Sequence, residues 1–461
     1  MKDLDLGKEN IKKLLLTFCI PCVISMLINS VYNIVDQIFI GKGVGTFGNG
    51  ATNVIFPLVL IFNGVAGLIG NGAAAGLSLK LGADQKDKAA KSVGQAITVT
   101  IITAIVLAIV SFILLPDIVM LFGCTENVYS YAIDYGRIII LGAPFMIFYS
   151  ALANIIRADG SPRYSMNMLL IGAVINLVLD PVLIFGFHMG VKGGALATVI
   201  GQVVTAVMAA AYIRKFKSIR LTGEQFKIDS DIWNTLALGL SSFITQATVL
   251  VLFVFMNNVL TKFGAASKFG ADIPLALYGV LQKINTLFIS TVLGITIGAQ
   301  PIIGYNYGAK KYSRVSECLK MIIVVNMIVG LLFNAMFFFF PRQLAGMFIT
   351  AEDADYELFM EFAVLMCHSF LMVIALNALE MTCSTAIQAL GKVKKATVLA
   401  LLRQVLLLIP ISLILAIPMK KGIYGILYAG AVSDSICFFI SIALISTEFV
   451  LLKKQRVSIP S

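Results

Sequence analysis

Charge is scarce in this chain of 461 residues, with only 13% of positions Asp, Glu, Lys or Arg. Soluble domains carry roughly 25%, so the shortage excludes an ordinary water-soluble globular fold. Histidine is scarcer still, at two residues. His188 and His368 stand alone and carry no assigned role. The seven cysteines (Cys19, Cys22, Cys124, Cys318, Cys367, Cys383 and Cys437) are odd in number and show no metal-like clustering. Cys19 and Cys22 fall one helical turn apart inside an apolar run, which reads as two small apolar residues rather than a redox pair. The strings DDxxD, HExxH and GxSxG are missing, which excludes the intramembrane enzymes those motifs build. Segments of about 10 residues with alternating polarity are missing too, so the chain is not a transmembrane barrel.

What is abundant is apolar sequence, 59% of residues with a mean hydropathy of +0.94. The runs approach or exceed the roughly 20 residues that cross a bilayer. They predict twelve spans at 14–40, 51–78, 92–115, 131–156, 164–186, 192–213, 233–260, 274–298, 316–340, 358–387, 397–419 and 423–451. With the N-terminus inside, and with bases at span ends counted with the side they adjoin, 26 Lys and Arg fall to the inner side and eight to the outer, leaving Lys283 deep within a span. That bias places both termini in the cytoplasm. The net charge of +11 is therefore a topology signal and not a nucleic-acid footprint. Basic groups such as Arg214, Lys215, Lys217 and Arg220 also suit anionic lipid headgroups. The first apolar run is too long for a secretory signal and is expected to persist as the first helix.

The chain repeats itself. Gly72, Ala73, Gly82 and Ala83 recur as Gly298, Ala299, Gly308 and Ala309, at an offset of 226. Gly160 recurs as Gly391, and Gly190, Gly193 and Ala197 recur as Gly422, Gly425 and Ala429, at offsets of 231 and 232. The fold class that follows is an all-α polytopic membrane protein of twelve helices. It is arranged as two six-helix lobes, at 1–213 and 233–461, joined by a cytoplasmic linker at 214–232. An even number of spans per copy relates the lobes by an axis along the membrane normal, with the transport path between them.

Polar residues inside spans are costly and are functional candidates by default. Ser25, Asn29, Asn33 and Asp36 form one stripe on the first helix, where Pro21 removes a backbone hydrogen bond and permits a bend. Asn176 and Asp180 share a face of the fifth span, as do Thr198, Gln202 and Thr205 in the sixth. Two carboxylates in one dry cavity repel, so the pair can hold a proton near neutral pH or, with amide and hydroxyl oxygens beside it, a hard cation such as Na⁺. The second copy differs. Asn257 stands near the position of Asp36, and Gln282, Lys283, Asn377, Glu380 and Asp434 form a separate polar cluster in which Lys283 can pair with a carboxylate. Glu448 lies close enough to the inner surface to snorkel. Tyr32, Met146, Tyr149, Asn154 and Phe253 are further candidates for an adaptable substrate wall.

The strings IVDQIFIGKG, RADGSPRYSM, NLVLDPVLIFG, GGALATVIGQ and AQPIIGYNYGAKK together resemble the multidrug and toxic compound extrusion family, in its MepA-like bacterial branch. The resemblance implies a V-shaped transporter that alternates between inward and outward openings, exporting organic cations in exchange for H⁺ or Na⁺. By position, Asp36, Asn176, Asp180 and Thr198 match that family's N-lobe cation and proton site, and Pro21 its bending proline. The family's acid in the seventh span has no counterpart. No cofactor, nucleic acid or obligate protein partner is expected, and membrane lipid is the surroundings of a multi-pass bacterial inner-membrane protein. A lipid-linked precursor flippase and a metabolite exporter are the alternatives. A flippase for a pyrophosphate lipid calls for several cavity cations, against which this chain offers one intramembrane lysine and four acids.

Overall fold

The structure, a computed structural model, describes residues 5–346 and 356–457. The first copy of the repeat forms α1 (Ile11–Val44), α2 (Thr46–Gly82), α3 (Lys86–Ile113), the short α4 (Leu115–Leu121), α5 (Glu126–Ala158), α6 (Pro162–Pro181) and α7 (Val191–Tyr212). A π-helical turn, Val182–Gly186, follows α6. The second copy forms α8 (Asp231–Ala265), α9 (Asp272–Gly308), α10 (Tyr312–Phe339), α11 (Pro341–Gly346), α12 (Tyr356–Ser369), α13 (Ile374–Ala389), α14 (Val393–Leu401), α15 (Ile409–Ala416) and α16 (Gly422–Val457). A second π-helical turn, Leu402–Leu408, joins α14 to α15. There is no strand among the described residues. In hydrocarbon every backbone N–H and C=O needs an internal partner, and helices supply one for each.

Among the described residues eleven helices are long and apolar enough to cross a membrane, and α12 and α13, bent by 51° at a short break, pass the same test together and make up to twelve if the pair is one span. The sequence predicts one continuous helix there, because no proline or glycine interrupts 358–387. The break comes from hydrogen bonding instead. Leu371 N–H reaches back five residues to Met366 O, Ile374 and Leu376 make only three-residue bonds, and Ala375 N–H donates to Asn334 Oδ1 from α10. A side chain thus replaces part of the helical ladder. Pro21, by contrast, sits inside an uninterrupted α1, where Ser25 Oγ donates to the Pro21 carbonyl at 2.7 Å.

The chain divides into two compact units, the first comprising residues 1–246, 297–311 and 388–393 and the second residues 247–296, 312–387 and 394–461. Phe62, Ile55, Ile147, Leu77 and Ile97 are among the buried core of the first, and Phe288, Phe337 and Phe362 among that of the second. Ile101, Ile105, Ile109 and Phe112 leave an exposed apolar face on α3, as a lipid-facing helix requires.

Within the first unit the repeated glycines meet main chain. A Cβ on Gly82 would drive into the carbonyl of Tyr305 and close on Ala309 N, and one on Gly308 would drive into the carbonyl of Leu79 and close on Ala83 N. The same unit docks its linker against α3. Gln95 Nε2 donates to Lys227 O at 3.0 Å, Thr98 Oγ1 to Phe226 O at 2.9 Å, and Lys91 pairs with Asp229 and Asp231. The Lys91 ammonium, the Gln95 amide and the Asp231 N–H hold the Asp229 carboxyl down at about 2. The linker's other end is anchored by Asp159, which accepts from Tyr212 Oη at 2.7 Å, from the N–H of Lys217 and of Ser218 at 2.9 Å each, and from Ser218 Oγ.

Candidate functional site

The polar residues of α1, α6 and α7 converge in the first unit. Asp36 is 8% exposed, Asn176 3% and Asp180 0%, so neither carboxyl is wetted at a helix end. The Asp36 and Asp180 carboxyls lie within hydrogen-bond reach of each other. Asn176 Nδ2 donates both to Asp180 Oδ1 at 3.3 Å and to Thr198 Oγ1 at 3.2 Å. The i, i+4 spacing on α6 sets the first contact, and the packing of α6 on α7 sets the second. Tyr32 and Tyr135 stand within electrostatic reach of both acids.

Several oxygens here have no donor. Asp36 Oδ1, Asp180 Oδ2, Asn176 Oδ1 and Gln202 Oε1 are sealed from solvent without a hydrogen-bond partner. Buried acceptors left bare cost on the order of 1–3 kcal/mol each, and more when charged. Two facing carboxylates add repulsion that a low dielectric does not screen. A proton shared by the acids relieves both penalties, and so does a small cation held by carboxylate, amide and hydroxyl oxygens. The residues therefore fit H⁺ and Na⁺ alike.

Beside this pair lies an open cavity lined by Asn29, Tyr32, Tyr149, Asn176, Thr198, Gln202, Ser25, Gly172 and Thr205 among others. Its wall reaches Asn176 and Thr198 and stops short of the acids, so Asn176 links the cavity to Asp180. Thr205 is expected from the sequence as a face partner of Thr198 and Gln202, whereas nothing in the sequence singles out Gly172. Close approach of α6 and α7 requires the glycine, since a Cβ there would meet Thr205 Oγ1.

Some expected wall residues lie elsewhere. Met146 packs in the core of the first unit, because its unbranched chain turns inward from α5. Asn154 Oδ1 accepts from Arg157, and Asn33 Nδ2 folds back on Asn29. Phe253 and Asn257 belong to the second unit.

In that second unit, Asn377, Glu380 and Asp434 are buried as expected of a polar cluster, at 3%, 7% and 3% exposed. Lys283 is not their partner. It is half-buried and makes no ion pair among the described residues. The cation is Arg403, whose Nε lies 2.6 Å from Asp434 Oδ1 and whose Nη2 lies 3.4 Å from Oδ2. Gln282 stays on α9, donating to Tyr278 Oη at 2.8 Å and accepting from Asn285. Glu448 does not snorkel, being fully buried with Lys395 Nζ 2.6 Å away.

A model of the MatE family matches residues 21–182 and 242–414. The chain is 26% identical over 464 residues to the probable multidrug resistance protein YoeA of Bacillus subtilis, covering 97% of this chain and 96% of that one. It is 25% identical over 457 residues to the multidrug export protein MepA of Staphylococcus aureus, covering 98% and 96%. Among solved structures, one described as the outward-facing conformation of a multidrug resistance transporter of the MOP superfamily superposes with a TM-score of 0.89 at 22% identity, over 98% of this chain and 99% of that one. A MOP superfamily transporter of Pyrococcus furiosus, described as having a binding pocket of reversed polarity, superposes with a TM-score of 0.90 at 21% identity and the same coverage.

Proposed function

The chain belongs to the MatE family, and from that premise we propose that it is a secondary transporter that exports organic cations in exchange for H⁺ or Na⁺. The observation that carries this reading is the set of donorless oxygens on Asp36, Asp180 and Asn176 beside an open polar cavity. Such a site holds negative charge that either an organic cation or the driving ion can neutralise. Occupancy by one weakens the other, and linkage makes the effect reciprocal, typically 1–3 kcal/mol. Asn29, Tyr32, Tyr149 and Gln202 form the wall next to it, and the tyrosine rings suit a lipophilic cation. Export follows when the organic cation enters from the cytoplasm and the driving ion from outside. The multidrug export names of YoeA and MepA support the substrate class. The excess of Lys and Arg on one side of the spans supports cytoplasmic termini in a bacterial inner membrane.

The deciding experiment is ethidium transport in inverted vesicles, with a pH gradient and a Na⁺ gradient imposed separately. The parent is expected to respond to at least one gradient and Asp180→Asn to neither. Undiminished gradient-driven transport in Asp180→Asn would remove the acid pair from the coupling role.

A further inference from the structure

The repeat offsets lead from the cavity of the first unit to a cluster in the second. Tyr149 and Glu380 each stand eleven residues before their copy of the paired glycine, Gly160 or Gly391. Gly172 and Arg403 each stand twelve residues after it. Gln202 and Asp434 each stand twelve residues after Gly190 or Gly422. Tyr149, Gly172 and Gln202 line the cavity. Their repeat partners are therefore an acid, a base and an acid, all of the second unit.

These three are buried together. Asp434 is 3% exposed and Glu380 7%, and the Arg403 side chain is 17% exposed. Arg403 rides on the π-helical turn Leu402–Leu408, directly ahead of Pro410, an irregularity that often marks functional positions in helices. It grips Asp434 through Nε and Nη2. Glu380 stands within electrostatic reach of both, yet its carboxyl makes no hydrogen bond and no ion pair among the described residues. One turn before it on α13, Asn377 Oδ1 is sealed without a donor. The other titratable groups facing the cluster are Cys383 on α13, Cys437 on α16 and Tyr278 on α9.

Charge arithmetic then decides what the cluster holds. Two carboxylates and one guanidinium sum to −1, and an unbalanced charge in hydrocarbon is costly. One proton restores neutrality. A metal cation is a poor substitute, because Na⁺ needs several oxygens and the adjacent guanidinium repels it. We propose that the second unit carries its own proton site, in which Glu380 takes up one proton beside an arginine, Arg403, that it can share with Asp434. When the proton leaves, the Glu380 carboxylate competes with Asp434 for the guanidinium, which moves the π-helical turn between α13 and α16. This site lies beyond the exchange at Asp36 and Asp180 and does not depend on it.

Infrared difference spectroscopy between acidic and alkaline buffer tests the site on the purified full chain in lipid, with no substrate present. The parent is expected to show a protonated-carboxyl C=O component that is lost in Glu380→Gln and kept in the double variant Asp36→Asn/Asp180→Asn. Glu380→Asp must move the component to another frequency, which covers a failure of Glu380→Gln to reconstitute. In Asp434→Asn the component should vanish, because Glu380 then takes Arg403 for itself and stays ionised. A merely structural Glu380 would leave all these spectra alike. A component that survives Glu380→Gln overturns the site, and one that survives Asp434→Asn overturns the sharing of Arg403. Neither reading requires transport, so failure of the site and failure of the exchange are told apart.

Discussion

Removing the Asp159 carboxylate should free the linker from the first unit, and the size of the effect can be worked from its contacts. Asp159 is 4% exposed and accepts from the Tyr212 hydroxyl, two backbone N–H groups and the Ser218 hydroxyl. Hydrogen bonds to a charged group contribute about 1.5–3 kcal/mol each, but shared partners make the sum non-additive. Loss of a buried charged hub costs about 3–5 kcal/mol. At 1.4 kcal/mol per tenfold, Asp159→Ala should raise local opening by about two to three and a half orders of magnitude. Trypsin cleavage at Lys215, Lys217 and Arg220 in inverted vesicles reads that opening, provided cleavage is slow against reclosing. Tyr212→Phe removes one donor and should raise cleavage only several-fold. Asp159→Asn should resemble the alanine variant, because an amide nitrogen facing the Lys217 N–H places donor against donor. A cleavage rate in Asp159→Ala within twofold of the parent would refute the reasoning.

The Asp229 carboxyl is held at about 2 by Lys91, Gln95 and the Asp231 N–H, below an unfolded value near 3.9. Its contribution is therefore complete above about pH 4 and lost as pH falls toward 2. Trp233, the single tryptophan and 71% exposed, should report the loss as a fluorescence transition that Asp229→Asn abolishes. Lys395→Met should lower the heat stability of the detergent-solubilised protein by about 2 kcal/mol, since it removes the half-exposed ammonium that pairs with the fully buried Glu448. The double variant Lys395→Met/Glu448→Leu should recover most of that. Gly82→Val should reduce the yield of folded protein, because the added side chain meets the main chain of Tyr305 and Ala309 and not a movable tip. Normal yield would mean α2 and α9 separate more easily than their contact suggests.

The spans were legible because long apolar runs admit few alternatives, and the repeat because glycines at helix crossings leave a fixed spacing. The convergence of Asp36, Asn176 and Asp180 was legible too, since i, i+4 pairs on apolar helices must face inward. The break between α12 and α13 was not, because its cause is a side chain on α10 and not a proline. Arg403 was overlooked for a related reason. It lies within the predicted span 397–419, yet so close behind Lys392, Lys394 and Lys395 that it reads as the last of the inner-side charges, and the π-helical turn after α14 carries it to Asp434. Met146 and Asn154 show the limit of composition, because residue type does not say toward which neighbour a side chain turns.

The reciprocal glycine contacts say something about descent. Leu79 and Tyr305 are separated by the same 226 residues as Gly82 and Gly308, and as Ala83 and Ala309, so each contact is the other with its two sides exchanged. In a symmetric dimer of one shorter chain, a single glycine codon would have created both. In one covalent chain the same contact takes two glycines, Gly82 and Gly308, and each can be substituted separately.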